Sequence, residues 1–209
     1  MTRLAKAGTR LAVGWLALGL FSAPLVQVPV AHAQDAQQRQ GAAAAFDRGT
    51  APFLDEDYAT AARWFEMANN LAPAAPALLQ AIRSHVEAGN RQRAGTLALR
   101  LIARFPDANA SVTEAQAIIE SVRADYVLVE VTCDAECAVE LDGTLQSHPA
   151  FFLEPDRDYE IGAGFDSGPV TESVAGDAAE QRTCEPTPPA APPGRPPPPP
   201  PPPPLPPAR

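Results

Sequence analysis

The stretch YVLVEV, residues 126–131, marks the point at which the chain changes its pattern. From here onward apolar residues recur with a period of two, which is typical of strands with one buried face. Before it, apolar residues recur at helical spacing, as in the stripe Tyr58, Ala61, Ala62, Phe65, Ala68 and Leu71. The sequence therefore predicts an α+β protein, with antiparallel helical repeats, then a small β-sandwich, then a disordered polyproline tail.

The helical block, residues 34–125, repeats itself after 33 residues. Two pairs of residues have this spacing: Ala61 with Ala94, and Pro73 with Pro106. Each proline is expected to end the helix before it, since the residue preceding a proline is disfavoured in a helix. Asp55 or Asp57 can cap the first stripe-bearing helix by accepting from its free amides. A third amphipathic helix is predicted over residues 111–124.

These positions resemble the tetratricopeptide repeat, a pair of antiparallel helices that stacks into a solenoid. The matching residues are Gly49, Tyr58, Ala61, Phe65, Ala68 and Pro73 in the first unit, and Gly89, Ala94 and Pro106 in the second. The resemblance implies a scaffold that binds a protein or peptide. Two units and a capping helix are fewer than such stacks usually need to bury a core. We therefore expect the β block, a second protomer or a partner to cover the remaining apolar face.

Three arginines, Arg93, Arg100 and Arg104, lie on one side of the last helix of the second unit, with Arg91 nearby. Two interpretations are open. The arginines can form a face for an anionic partner, or they can be an ordinary solvated helix face, which we favour because exposed arginines at this spacing are common.

The β block, residues 126–185, is predicted to contain five short strands. They cover residues 126–131, 138–141, 151–153, 158–161 and 170–174, with turn residues between them. Asp142-Gly143 is the strongest of these turn signals. The spacing of about ten residues favours a small sandwich of meander strands.

This block resembles the PEGA domain, a small β module that often accompanies tetratricopeptide repeats in exported proteins. The pattern of alanine, valine and an Asp-Gly turn is matched by residues 138–143, and the family's corner by residues 153–156, where Asp156 replaces a glycine. A divergent member and a convergent sandwich both remain open. Neither resemblance brings a catalytic motif.

Cys133 and Cys137 flank a predicted strand-to-strand turn, where facing residues lie within disulfide range. We predict that they are bonded, so that Cys184 is free or available to another chain. No metal site is expected, because His85 and His148 lie far apart in sequence and zinc needs more ligands than two thiols.

Residues 1–33 have the features of a secretory signal peptide. A basic start, Arg3, Lys6 and Arg10, precedes an uncharged run over residues 11–23, and small residues precede a cleavage site after Ala33. An uncleaved anchor is the alternative, but Pro24 and Pro29 interrupt the apolar run. The chain is therefore expected in the periplasm or envelope of a bacterium, with no transmembrane helix after cleavage.

Negative charge is concentrated in the β block. Cleavage leaves 13 basic and 25 acidic residues, and residues 126–185 hold 14 of the acidic and two of the basic groups. This field disfavours nucleic acid and favours cations or basic partners, although solubility explains it more simply.

The tail, residues 186–209, holds 16 of the 25 prolines, nine of them consecutive. Such a segment forms an extended polyproline helix and acts as a spacer. It can hold the folded part away from an anchor, cross a cell-wall mesh, or bind an aromatic groove. Because spacers join two parts, we expect an anchor or domain beyond Arg209.

No nucleophile with a base, carboxylate pair or phosphate-binding loop occurs at a recognisable spacing, so we expect neither an enzyme nor a cofactor. The leading hypothesis is an envelope scaffold that binds a protein or peptide. The alternatives are a structural spacer that contacts the cell wall through its tail, and a calcium-dependent adhesive β module.

Overall fold

The computed structural model describes residues 30–189, with side chains from residue 34, and it has an α+β fold as predicted. Five helices come first: α1 Val30–Leu54, α2 Tyr58–Leu71, α3 Ala75–Glu87, α4 Arg91–Arg104 and α5 Asn109–Val122. Seven strands follow: β1 Val127–Val131, β2 Ala138–Leu141, β3 Thr144–Leu145, β4 Ala150–Leu153, β5 Tyr159–Phe165, β6 Gly168–Val174 and β7 Gln181–Cys184.

Local signals set the helix boundaries. Asp57 caps α2 by accepting a hydrogen bond from the Thr60 amide at 3.2 Å, as expected for one of the two aspartates. Pro76 occupies the first turn of α3, where a missing amide donor costs little. Gly89, with a φ of 78°, makes the turn between α3 and α4. Consecutive helices pack against each other along the block.

The helical core does not close on itself. It contains apolar residues from α2 to α5, and also Leu128 of β1 and Phe152 of β4, both fully or nearly buried. Gly95 permits this contact, because a Cβ atom there would lie 2.7 Å from Phe152 and from Val122. We expected the β block, a second protomer or a partner to cover the open apolar face. In the structure the β block covers it.

Side chains of helix α4 also form hydrogen bonds with the main chain of an edge strand. Strand β4 is the edge strand next to β1, so the main chain of Phe152 points away from the sheet. The Phe152 amide donates to the Thr96 hydroxyl at 3.0 Å, and the Gln92 side chain donates to the Phe152 carbonyl. An otherwise open strand edge is thereby covered by a helix.

The strands form two sheets, with orders β4-β1-β7 and β3-β2-β5-β6. The expected meander is wrong, because β1 and β2 belong to different sheets and β1 pairs with β7 in parallel. Strands β3 and β7 were not predicted, and β5 extends four residues beyond its predicted end. Side chains from both sheets share one hydrophobic cluster that includes Val129, Phe151 and Ile161.

Residues 1–29 and 190–209 lie outside the described part of the chain, and they make up most of the predicted signal peptide, residues 1–33, and of the predicted tail, residues 186–209. Helix α1 begins at Val30, so the predicted cleavage site after Ala33 falls in its first turn. Pro186, predicted to begin the tail, is buried, and Pro189 lies near Gly168 at the start of β6. Within residues 30–189, no helix has the length and hydropathy to cross a membrane.

Candidate binding surfaces

The residues that matched repeat positions serve in packing. Gly49 lies directly on the Phe65 ring, since a Cβ atom there would be 2.9 Å from it. The Phe65 ring in turn packs against Phe46, with centroids 5.0 Å apart, and Tyr58 meets Phe53 edge-on at 5.4 Å. The alanines of the set, Ala61, Ala68 and Ala94, are buried, while Pro73, Gly89 and Pro106 lie in the loops that follow α2, α3 and α4.

A partly buried ionic network joins α2, α3 and α4, and no motif or spacing in the sequence indicates it. The Glu66 carboxylate lies 2.6 Å from Nε2 of His85 and 2.5 Å from a guanidinium nitrogen of Arg93. Burial by itself would raise the pKa of Glu66, but hydrogen bonds from His85 and Arg93 and the Arg93 charge outweigh it and lower that pKa to about 2. The network therefore holds a charged carboxylate between three helices.

The three predicted arginines have different roles. Arg93 is paired with Glu66, and its side chain is 42% exposed. Arg100 is half-buried beside Asn70, with 3.4 Å between Nη2 and the amide oxygen, and its Nε is buried without an acceptor. Arg104 is exposed in the last turn of α4. Neighbouring Arg91 pairs with Asp125 at 2.6 Å.

Arg100 lies in a strongly cationic environment. Burial lowers its pKa first, and repulsion from Arg104 and Arg93 lowers it further. The pKa of His148, in the loop before β4, is also lowered, mainly by burial and then by the charge of Arg100. The surroundings of His148 therefore disfavour its protonated form.

The outward side of α2 is apolar next to these cations. Met67 and Leu71 are 47% and 38% exposed, so both present apolar area to solvent. A shallow depression of about 420 Å³ is lined by Arg63, Glu66, Met67, Asn70 and Leu71. Two of its lining residues contact arginines of α4, Glu66 with Arg93 and Asn70 with Arg100, so these cations lie beside the depression.

A second cavity, of about 350 Å³, lies between α1 and the start of α3. Its walls consist mainly of small side chains around Phe46, and its charged lining residues are Arg39 and Asp47. The alanines and proline that line it are Ala42, Ala43, Ala68, Ala72, Ala74, Pro76 and Ala77. Its volume and mainly apolar lining match the size and chemistry of a small apolar group.

The sulfur atoms of Cys133 and Cys137 lie 2.00 Å apart, a bonded distance. The segment between them is not a hairpin turn, because β1 and β2 belong to different sheets, so the bond closes a crossover. Cys184 is buried as a free thiol whose pKa is raised mainly by burial. Asp142 and Gly143, with φ of 46° and 72°, form the two-residue connection between β2 and β3.

Among residues 34–189, no group of three histidine, cysteine, aspartate or glutamate side chains is placed to hold a metal ion. Ser147 and His148 line a cleft of about 420 Å³ beside the disulfide. Neither side chain has a hydrogen-bond partner there that would make a catalytic pair. The surfaces described above present ion pairs and exposed apolar side chains.

Comparison of the chain with models of protein families gave no match. Comparisons with curated proteins and with solved structures gave none either.

Proposed function

We propose that this chain is an exported bacterial envelope protein that acts without catalysis, as a scaffold that binds a segment of another protein. In this proposal α1 to α4 are two tetratricopeptide-like units and α5 is a capping helix. The two sheets form a PEGA-like sandwich that supports the helices. Export rests on the signal-like residues 1–33 of the sequence.

The packing of the helices supports the repeat assignment. Each helix contacts the next, and α3 also contacts α5. The close approach of α1 to α2 depends on Gly49 beside Phe65, the small and aromatic positions that the resemblance is based on. The second unit keeps its buried Ala94.

The shared cluster of the two sheets supports the sandwich assignment, since Val139 of one sheet and Val129 of the other belong to it. The parallel pairing of β1 with β7 ties the end of the block to its beginning. This arrangement suits a compact support for the helices.

The observation that carries the proposal is the position of the α1–α3 cavity. The β block covers the other end of the helical stack through Phe152, while the cavity lined by Ala43, Phe46 and Ala77 stays open. We infer that its ligand is an extended protein segment that inserts a small apolar side chain. Arg39 and Asp47, of opposite charge, can pair with main-chain groups of that segment.

The proposal can be tested with a substitution that fills the cavity. Ala43 is exposed and lines it, so Ala43→Trp should occupy it without disturbing the core. A photo-crosslinking residue placed at Ala42 in cells should capture a defined envelope protein, and Ala43→Trp should abolish that adduct. The matched control is Ala117→Trp, on the exposed side of α5 and outside the cavity. Equal adducts in both variants would refute the proposal.

A further inference from the structure

The outer surface of α2 and α4 differs in charge from the rest of the described chain. These two helices carry five arginines and one glutamate, whereas residues 126–185 carry 14 acidic and two basic groups. The single glutamate, Glu66, is already engaged with His85 and Arg93. The surface is therefore a cationic patch on an acidic protein.

Three guanidinium groups of this surface lack a carboxylate partner. Within residues 34–189, no carboxylate oxygen lies within 4.0 Å of Arg63, Arg100 or Arg104. Arg100 in addition has a buried Nε without an acceptor. An unpaired buried donor is costly, and like charges held close together repel. An anion beside Arg100 and Arg104 would relieve the repulsion between them.

Apolar side chains lie beside these cations. Met67 and Leu71 are one helical turn apart on α2, and both line the depression that also contains Arg63 and Asn70. Their exposure leaves apolar area in water that a partner could cover. A simple inorganic anion would use the arginines and leave this area uncovered. A protein segment with both acidic and apolar side chains would use both.

We propose that the surface formed by Arg63, Met67, Leu71, Arg100 and Arg104 binds an acidic amphipathic segment of a partner protein. This inference extends the proposed scaffold function and rests on it, but it concerns a surface separate from the α1–α3 cavity. The carboxylates of the segment pair with Arg100 and Arg104, and its apolar side chains cover Met67 and Leu71. The charge difference between this surface and the β block orients the approaching segment.

The experiment measures binding of a fluorescent amphipathic peptide, with glutamates on one helical face and leucines on the other, to the purified full chain. Arg100→Gln/Arg104→Gln should weaken binding by about tenfold. The matched control, Arg123→Gln/Arg182→Gln, removes the same charge from exposed positions that already pair with Glu120 and Glu180. It should change the affinity by less than about twofold.

Two further measurements separate the contribution of apolar contact to the peptide affinity from that of charge. Met67→Ser should weaken the peptide several-fold while leaving the salt dependence of binding unchanged, because it removes only apolar contact. A peptide with glutamine at each glutamate position should bind weakly to wild type and equally weakly to Arg100→Gln/Arg104→Gln. Thermal unfolding of each variant checks that the fold persists, and relief of repulsion should leave the double arginine variant at least as stable as wild type.

Several outcomes would overturn the inference. Equal peptide affinity for wild type and the Arg100→Gln/Arg104→Gln variant would do so, and so would no binding at millimolar peptide. Binding of vesicles of phosphatidylglycerol and phosphatidylethanolamine in place of the peptide would assign the surface to a membrane. Self-association of wild type that the variant lacks would assign it to the acidic block of a second copy. Capture through Ala42 in cells is independent of all these results, so the failure of one proposal is distinguishable from that of the other.

Discussion

At Glu66, burial and ion pairing act in opposite directions on one carboxylate. Because the pKa of Glu66 is about 2 in the folded chain and near 4.5 when unpaired, folding favours the charged form. The resulting stability is fully present above about pH 4.5 and is lost as the pH falls toward 2. A shift of this size corresponds to about 3 kcal/mol at neutral pH.

We predict that Glu66→Gln lowers the free energy of unfolding by about 3 kcal/mol at pH 7, and by roughly half as much at pH 3. The amide keeps the size of the side chain but removes the charge that pairs with Arg93. Urea unfolding at the two pH values gives both numbers. Glu87→Gln, at an exposed position on α3, should change stability by less than about 0.5 kcal/mol. A loss for Glu66→Gln that does not depend on pH would contradict the electrostatic explanation.

The same network shows that the sequence does not predict which side chains on different helices come into contact. Helical spacing predicts an apolar stripe on α2, and its alanines and Phe65 are buried, as is Gly49 on α1. In the same stripe Tyr58 is half-buried and Leu71 is exposed. Glu66, His85 and Arg93 are separated by 19 and 8 residues, and they meet only because three helices pack at particular heights. Single-helix periodicity identifies the side of a helix that carries each residue, but not its neighbour on the next helix.

Among the elements, the connection between β1 and β2 is the clearest case of a covalent constraint. The Cys133–Cys137 bond closes a short loop that carries the chain from one sheet to the other. The bond restricts the unfolded chain as well as the folded crossover.

Replacing both cysteines, Cys133→Ser/Cys137→Ser, should lower the free energy of unfolding by about 2 kcal/mol, as expected for so short a closed loop. Thiol titration of unfolded wild type without reductant should find one free thiol, that of Cys184. Reductant should destabilise wild type by the same amount as the double replacement, and Cys184→Ala should respond to reductant as wild type does. Three titratable thiols in the oxidised chain would refute the bond.

The pairing of the strands was less predictable than their positions. Asp142-Gly143 marks its hairpin because few other residue pairs adopt two positive φ values in succession. Strand β7 has no comparable signal: of Gln181, Arg182, Thr183 and Cys184, only the last is buried. Its place beside β1 depends on parallel pairing between segments more than 50 residues apart. Long-range pairing of this kind follows from the assembled core and not from local periodicity.

For the whole molecule, the contact between α4 and β4 decides whether helices and sheets behave as one unit. Phe151 and Phe152 are adjacent on β4 and face opposite sides, Phe151 toward the cluster of the two sheets and Phe152 toward the helical core. Thr96 and Gln92 add hydrogen bonds to the main chain of Phe152. One strand therefore contributes to both cores, and this couples their stability.

This coupling predicts different consequences for two neighbouring substitutions. Phe152→Ala and Phe151→Ala each remove a fully buried ring and should each cost about 3–5 kcal/mol. Phe152→Ala removes the ring shared with α4 and α5, so hydrogen exchange should accelerate in those helices and urea unfolding should separate into two steps. Phe151→Ala weakens the sheets but keeps the shared ring, so the chain should still unfold in one step at lower urea. If α4 and α5 exchange at the wild-type rate in Phe152→Ala, the proposed coupling through the Phe152 ring is wrong, because this contact would then contribute nothing to the stability of these helices.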